Sequence, residues 1–114
     1  MSTSSSSQSS IFASRLYSRK RLDLRAQLVT LHTTGEGMIV HGRTRDLSRS
    51  GAGLTLTREL PTGSEVMLCL RLPGNDSPLC LQAVITRRQG FRAGLRFVQP
   101  SAGQRLLLHE LCYD

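Results

Sequence analysis

From Ala26 to Val98 the chain alternates apolar and polar residues with a period of two, interrupted at regular intervals by turn residues. Leu28 and Val29-Thr30-Leu31 start the first run, Thr34-Gly35-Glu36-Gly37 turns the chain, and Met38 to Thr44 returns as a second strand. Leu54-Thr55-Leu56-Thr57 alternates cleanly, with Leu toward a core and Thr toward water. After Pro61-Thr62-Gly63, the run Glu65 to Leu72 puts Val66, Leu68, Leu70 and Leu72 on one face. The loop Pro73 to Pro78 precedes Leu79, Leu81, Ala83 and Ile85, and Gln89-Gly90 closes a hairpin. Phe91, Ala93, Leu95 and Phe97 then line an inner face, with Arg92 and Arg96 outside. This rhythm predicts an all-β fold, a six-stranded antiparallel barrel or sandwich, and closure into a barrel would remove exposed edges. The pattern changes after Pro100. Ser101 and Gln104 form a capping box ahead of Leu106, Leu107, Leu108 and Leu111. This predicts one C-terminal α-helix over 101–112, covering the barrel mouth with its Leu face.

The amino-terminal part is different in kind. Residues 1–14 are a Ser-rich tail expected to be disordered, and 15–25 a flexible basic arm, helical or extended, leading into a barrel over 26–99. With 114 residues the chain is one domain. No apolar run reaches the ~18 residues that would span a bilayer, and the start of the chain lacks secretory features, so a cytosolic protein is expected. Cys69, Cys80 and Cys112 are odd in number and lack a Cys-x-x-Cys pair. They predict buried, inert thiols rather than a disulfide framework, and with His32, His41 and His109 they show no metal-ligand spacing.

Charge narrows the function. The net +7 comes from fourteen Arg and one Lys against eight acids. That balance suits an anionic partner, and guanidinium groups meet phosphate and the guanine Hoogsteen edge at two points. Any single Arg is still most simply a solvated surface residue. The pairs Arg15/Arg19, Arg21/Arg25, Arg45/Arg49, Arg88/Arg92 and Arg92/Arg96 all satisfy Arg-x-x-x-Arg, so that spacing alone says little. The segment Asp46-Leu47-Ser48-Arg49-Ser50-Gly51 is more informative. Alone it reads as an Asx or Ser turn between strands. Beside Arg19-Lys20-Arg21-Leu22-Asp23-Leu24-Arg25 it supplies cations for phosphates and a carboxylate and hydroxyl for a purine edge. No nucleophile–base arrangement or phosphate-binding glycine loop is visible, so the chain reads as a receptor and not an enzyme.

In combination these elements resemble the PilZ-domain family, whose members bind the second messenger cyclic di-GMP. Arg21 and Arg25 directly precede the first strand, and Asp46, Ser48 and Gly51 fall at the join of the second and third. Gly53-Leu54 and Gly94-Leu95-Arg96-Phe97 also look familial. The resemblance covers about residues 15–112 and implies a PilZ-like barrel. It implies that Arg21 and Arg25 engage the phosphodiester oxygens and guanine O6 and N7. Asp46 would accept from guanine N1 and N2, and Ser48 would add a hydroxyl contact. Gly51 would permit a positive φ or a close approach. Lys20 occupies the position associated in relatives with one ligand or an intercalated pair, and with Arg19 and Arg15 nearby it leans toward a pair. Arg49, like Arg45 and Arg58, would add phosphate contacts or simply face water. The implied partners are cyclic di-GMP, no metal, and an unidentified protein target, with a homodimer open and outputs in motility, exopolysaccharide or biofilm behaviour. The alternatives are a small basic barrel for single-stranded nucleic acid, which lacks the usual aromatic platforms, and a ligand-free adaptor.

Overall fold

A computed structural model describes residues 19–31 and 37–112. Expectations on the Ser-rich tail, Arg15, Ile11, Phe12, His32 and the 34–36 turn lie outside these residues. Six strands, β1 (Arg25–Thr30), β2 (Ile39–Leu47), β3 (Gly51–Leu56), β4 (Glu65–Leu70), β5 (Leu79–Gln89) and β6 (Arg92–Phe97), precede the helix α1 (Ala102–Cys112). All pairings are antiparallel, and the order β1-β2-β3-β6-β5-β4 closes on itself as a barrel. The predicted inward positions Leu28, Leu54, Val66, Leu68, Leu70, Leu81, Ile85 and Leu95 fill it. Closure leaves no strand edge open, which a core made almost wholly of aliphatic side chains requires.

Two bulges interrupt the ladders. In β2 the register shifts between Thr44 and Asp46, and in β5 between Ile85 and Arg87. Each inserts one residue and so reverses which side chains face outward. Val40 and Thr44 point inward, yet so does Leu47, which leaves Arg45 and Asp46 both directed away from the core. Beyond Ile85, Thr86, Arg87, Arg88 and Gln89 are all exposed. The hairpin that follows turns at Gly90, whose φ of 61° is one that L side chains rarely adopt.

Residues 19–24 run along the far half of β2. The Lys20 amide donates to the Leu47 carbonyl and the Leu47 amide to the Lys20 carbonyl, both at 2.8 Å. Buried Thr44 completes the attachment: its hydroxyl accepts from the Leu24 amide at 2.7 Å and donates to the Leu22 carbonyl. Its own amide donates to the Leu24 carbonyl at 2.9 Å. Leu24 is buried in the core cluster, with Leu22 packed against it.

The helix is capped as expected, with the Gln104 amide donating to Ser101 Oγ at 3.1 Å and the Ser101 amide to Gln104 Oε1 at 2.9 Å. Gln104 Nε2 also donates to the Cys80 carbonyl at 2.7 Å, which ties the helix to β5. Three expectations are corrected. Only Leu108 is fully buried while Leu106 is 60% exposed, so the helix meets the barrel along a narrow edge. Phe91 sits in the β5–β6 turn, 55% exposed, because β6 begins one residue later. Cys69 and Cys80 are not separate inert thiols: they are direct partners across β4 and β5 and form a disulfide. The hairpin loop between them hides this adjacency in the sequence. Cys112 stays free, and burial pushes its thiol pKa up. Among the described residues no helix is long and apolar enough to cross a membrane.

Thr44→Val strands the Leu24 amide and the Leu22 carbonyl and is expected to cost about 1–3 kcal/mol in urea unfolding. Under oxidising conditions peptide mapping is expected to recover Cys69 joined to Cys80. Reduction then lowers unfolding stability by up to about 3 kcal/mol, from the loop-closure entropy of a short loop.

A candidate nucleotide site

The two bulges lie on either side of one cross-strand row. Asp46 pairs with Gly53, Gly53 with Gly94, and Gly94 with Arg87, so four adjacent strands contribute one residue each. Gly53 faces outward by strand parity and is nonetheless buried, because the Asp46 carboxylate lies over it. A Cβ at Gly53 would sit 3.0 and 3.1 Å from the Asp46 oxygens. At Gly94 a Cβ would sit 3.5 Å from Arg87 Nε. The result is a trough with a bare backbone floor, a carboxylate wall on β2 and a guanidinium wall on β5. The backbones of the walls stand three strand spacings apart, about 14 Å. Arg19, Arg45, Arg88 and Arg92 line the same hollow, whose volume is about 510 Å³.

Asp46 is the one carboxylate in this lining. It forms an ion pair with Arg19, in which the carboxylate is 25% and the guanidinium 44% exposed. Extending the Lys20–Leu47 bridge by one residue sets Arg21 alongside Asp46. At the corner between β2 and β3, Ser48 is 1% exposed and its hydroxyl is turned into the bend. Ser48 Oγ accepts from the Ser50 amide at 3.3 Å and the Gly51 amide at 3.2 Å, while the Ser48 amide donates to the Gly51 carbonyl at 2.9 Å. Gly51 has no positive φ among the described residues, and its requirement is space: a Cβ would collide with the Leu95 carbonyl on β6. Of the sequence-selected residues, Arg19, Lys20, Arg21, Asp46, Ser48, Arg49 and Gly51 therefore gather on the arm and the β2–β3 corner.

Arg25 does not join them directly. It lies opposite Arg43 at the start of β1 and lines a second hollow on the neighbouring flank, with Gln27, His41, Arg43 and Arg71. Arg43 is held there by Asp23, with Arg43 Nε 2.7 Å from Asp23 Oδ1, and that contact raises the guanidinium pKa. The residues that sequence reasoning left out of the site are Arg87, Arg88, Arg92 and the Gly53–Gly94 floor. A signal existed: the inward alternation of β5 stops at Ile85, which is how a bulge reads in sequence. Among the described residues no group of three or more His, Cys, Asp or Glu is placed to hold a metal ion.

Chemically, the trough offers a flat floor for a planar ring, one acceptor pair for N–H donors, and several guanidinium groups for oxyanions or for the acceptor edge of a purine. No curated protein matches the chain by sequence. Solved structures share its fold. The PilZ domain of CeSA from a cellulose-synthesizing bacterium aligns with a TM-score of 0.65 at 23% identity, over 83% of this chain and 94% of that one. The PilZ domain of YcgR from Escherichia coli, solved with c-di-GMP, gives 0.69 at 17% identity, over 85% and 87%. The Bacillus subtilis inhibitor of motility, MotI/DgrA, gives 0.67 at 19% identity, over 84% of this chain and 48% of that one. The PilZ domain family model matches residues 14–114. With the closed barrel and the Asp46 corner in place, that match makes the chain a member of the PilZ domain family.

Proposed function

We propose that this protein binds cyclic di-GMP in the trough between Asp46 and Arg87 and passes the signal on by protein contact, without catalysis. The observation that carries this reading is the Asp46–Gly53–Gly94–Arg87 row. A guanine ring laid on the glycine floor would present N1–H and N2–H to the Asp46 carboxylate. Arg21, Arg87 or Arg92 would face O6, N7 and the phosphodiester oxygens, with Lys20 and Arg49 as further cations. Adenine lacks the N1–H and N2–H donor pair, so the carboxylate selects guanine. Ser48 and Gly51 support the site chiefly by holding the β2–β3 bend. Lys20, next to Arg21, favours an intercalated pair of ligands over one.

Arg19 already occupies the carboxylate, and its guanidinium offers the same fork of N–H donors as the guanine edge. Ligand binding therefore replaces the single Arg19 contact at Asp46 Oδ1 with the guanine donor pair and releases Arg19 toward the phosphates. This half-exposed ion pair is worth little on its own, so the exchange is inexpensive. Arg25 would move from its own hollow to reach the ligand. The likeness to an inhibitor of motility supports an output in motility, with exopolysaccharide or biofilm control as related outcomes. The exposed Leu106 and Leu107 of α1 are the surface we assign to a protein target or a second copy. The working compartment is the cytosol, where the Cys69–Cys80 pair would spend much of its time reduced. The single-stranded nucleic acid reading is weaker, since Phe91 is the one exposed aromatic among the described residues.

Titration calorimetry is expected to show saturable binding of cyclic di-GMP at one or two ligands per chain and none of cyclic di-AMP. Arg21→Ala and Asp46→Ala each weaken binding about 10- to 100-fold, as charge-assisted contacts predict. Arg87→Ala weakens it about tenfold, because the β5 wall contributes a charge-assisted contact. Arg19→Ala costs less than Arg21→Ala, because release of Asp46 offsets a lost phosphate contact. Absence of heat at saturating dinucleotide would overturn the reading.

A further inference from the structure

We propose a second anion site on the opposite flank of β2, built for a linear chain of phosphates and separate from the glycine-floored trough. Its basis is a second cross-strand row. Arg25 on β1 pairs with Arg43 on β2, and on the other side the Arg71 amide donates to the Arg25 carbonyl at 3.0 Å, one step beyond the Ala26–Leu70 pair. Arg43 on β2, Arg25 on β1 and Arg71 just past the end of β4 thus stand side by side, all exposed. Like charges directly opposite one another destabilise a sheet, and a row of three compounds the effect. Only Asp23, which meets Arg43, offsets it, and no other ion pair to the row occurs among the described residues.

The backbones that carry the three arginines span two strand spacings, about 10 Å, the reach of a short phosphate chain. Next to them Gln27 pairs with both His41 and Cys69, giving a second row of hydrogen-bonding and thin apolar surface. Together with Thr57 and Pro78 these residues line an open hollow of about 600 Å³, the size of a small-ligand site and enough for a nucleoside beside its phosphates. Forked guanidinium donors suit phosphate oxygens at two points each, and the hollow holds no acid in its lining. Arg25 belongs to this row and also to the pair of arginines expected at the dinucleotide. Occupation of the row by phosphates would hold Arg25 away from the trough and lower affinity for the dinucleotide.

The site is tested on the full chain by following backbone amide shifts during titration with sodium tripolyphosphate, at ionic strength held constant with sodium chloride. A parallel arm uses a nucleoside triphosphate. Expected are saturable shifts at Gln27, His41, Arg43 and Arg71 but not at Gly53 or Gly94. Arg71→Ala weakens binding about tenfold or more, while Asp23→Asn, which frees Arg43, tightens it severalfold. Tighter binding of the nucleoside triphosphate than of tripolyphosphate assigns the hollow beside the arginines to the nucleoside, and equal binding assigns the phosphates alone. Both outcomes support the site. Shifts confined to the trough, or an unchanged affinity in Arg71→Ala, overturn it. Because this binding is read without any dinucleotide, its failure and the failure of the cyclic di-GMP reading are separately visible.

Discussion

The bulge in β2 is the constraint on which the rest of the site depends. Between Thr44 and Asp46 the strand gains one residue against β3, and that residue reverses strand parity. Thr44 can then point inward to hold the arm through the Leu22 and Leu24 backbone, while Asp46 points outward over Gly53. An unbulged strand could not do both and still bury Leu47. The matching bulge in β5 does the same for Arg87 over Gly94, so two local irregularities aim opposite charges across one pair of glycines.

Rigidity and exchangeability are divided accordingly. The bend at Ser48 is closed by buried hydrogen bonds, and Gly51 lets β3 and β6 approach without a side chain between them. Leu47 is fully buried, and its carbonyl accepts both from the Lys20 amide and, at 3.5 Å, from the Cys112 thiol at the end of α1. Arm, barrel and helix therefore meet at one residue beside the site. By contrast the contacts of Arg19 with Asp46 and of Arg43 with Asp23 are solvent-exposed ion pairs. Such pairs contribute little and are readily replaced by a ligand's own groups. The proposed binding of a dinucleotide calls for this distribution, with a fixed acceptor and cations that can change partners.

The arginines illustrate how little a spacing means without a sheet. Arg21 and Arg25 look like a unit in sequence, four residues apart on one arm. In the barrel Arg21 runs alongside Asp46, and Arg25 stands opposite Arg43 over a different hollow. Arg88 and Arg92 show the same spacing and would be dismissed as coincidence, yet the β5–β6 hairpin brings both to the trough.

Alternation determined the six strands and, Phe91 apart, their inward faces, and the Ser101–Gln104 pair with the leucines after it determined the terminal helix and its cap. Side-chain parity and capping are local properties, legible wherever Val66, Leu68 and Leu70 or Ser101 and Gln104 recur at the right interval. The charged arm and the Asp46 turn were legible for the same reason, as continuous segments. Only the tertiary structure decided what lies across from what. The Cys69–Cys80 disulfide, the Gly53–Gly94 floor, the Arg87 wall and the Arg43–Arg25–Arg71 row all join residues on, or just past the end of, different strands. Their adjacency depends on strand order and register, and a one-residue bulge shifts both the register and the face.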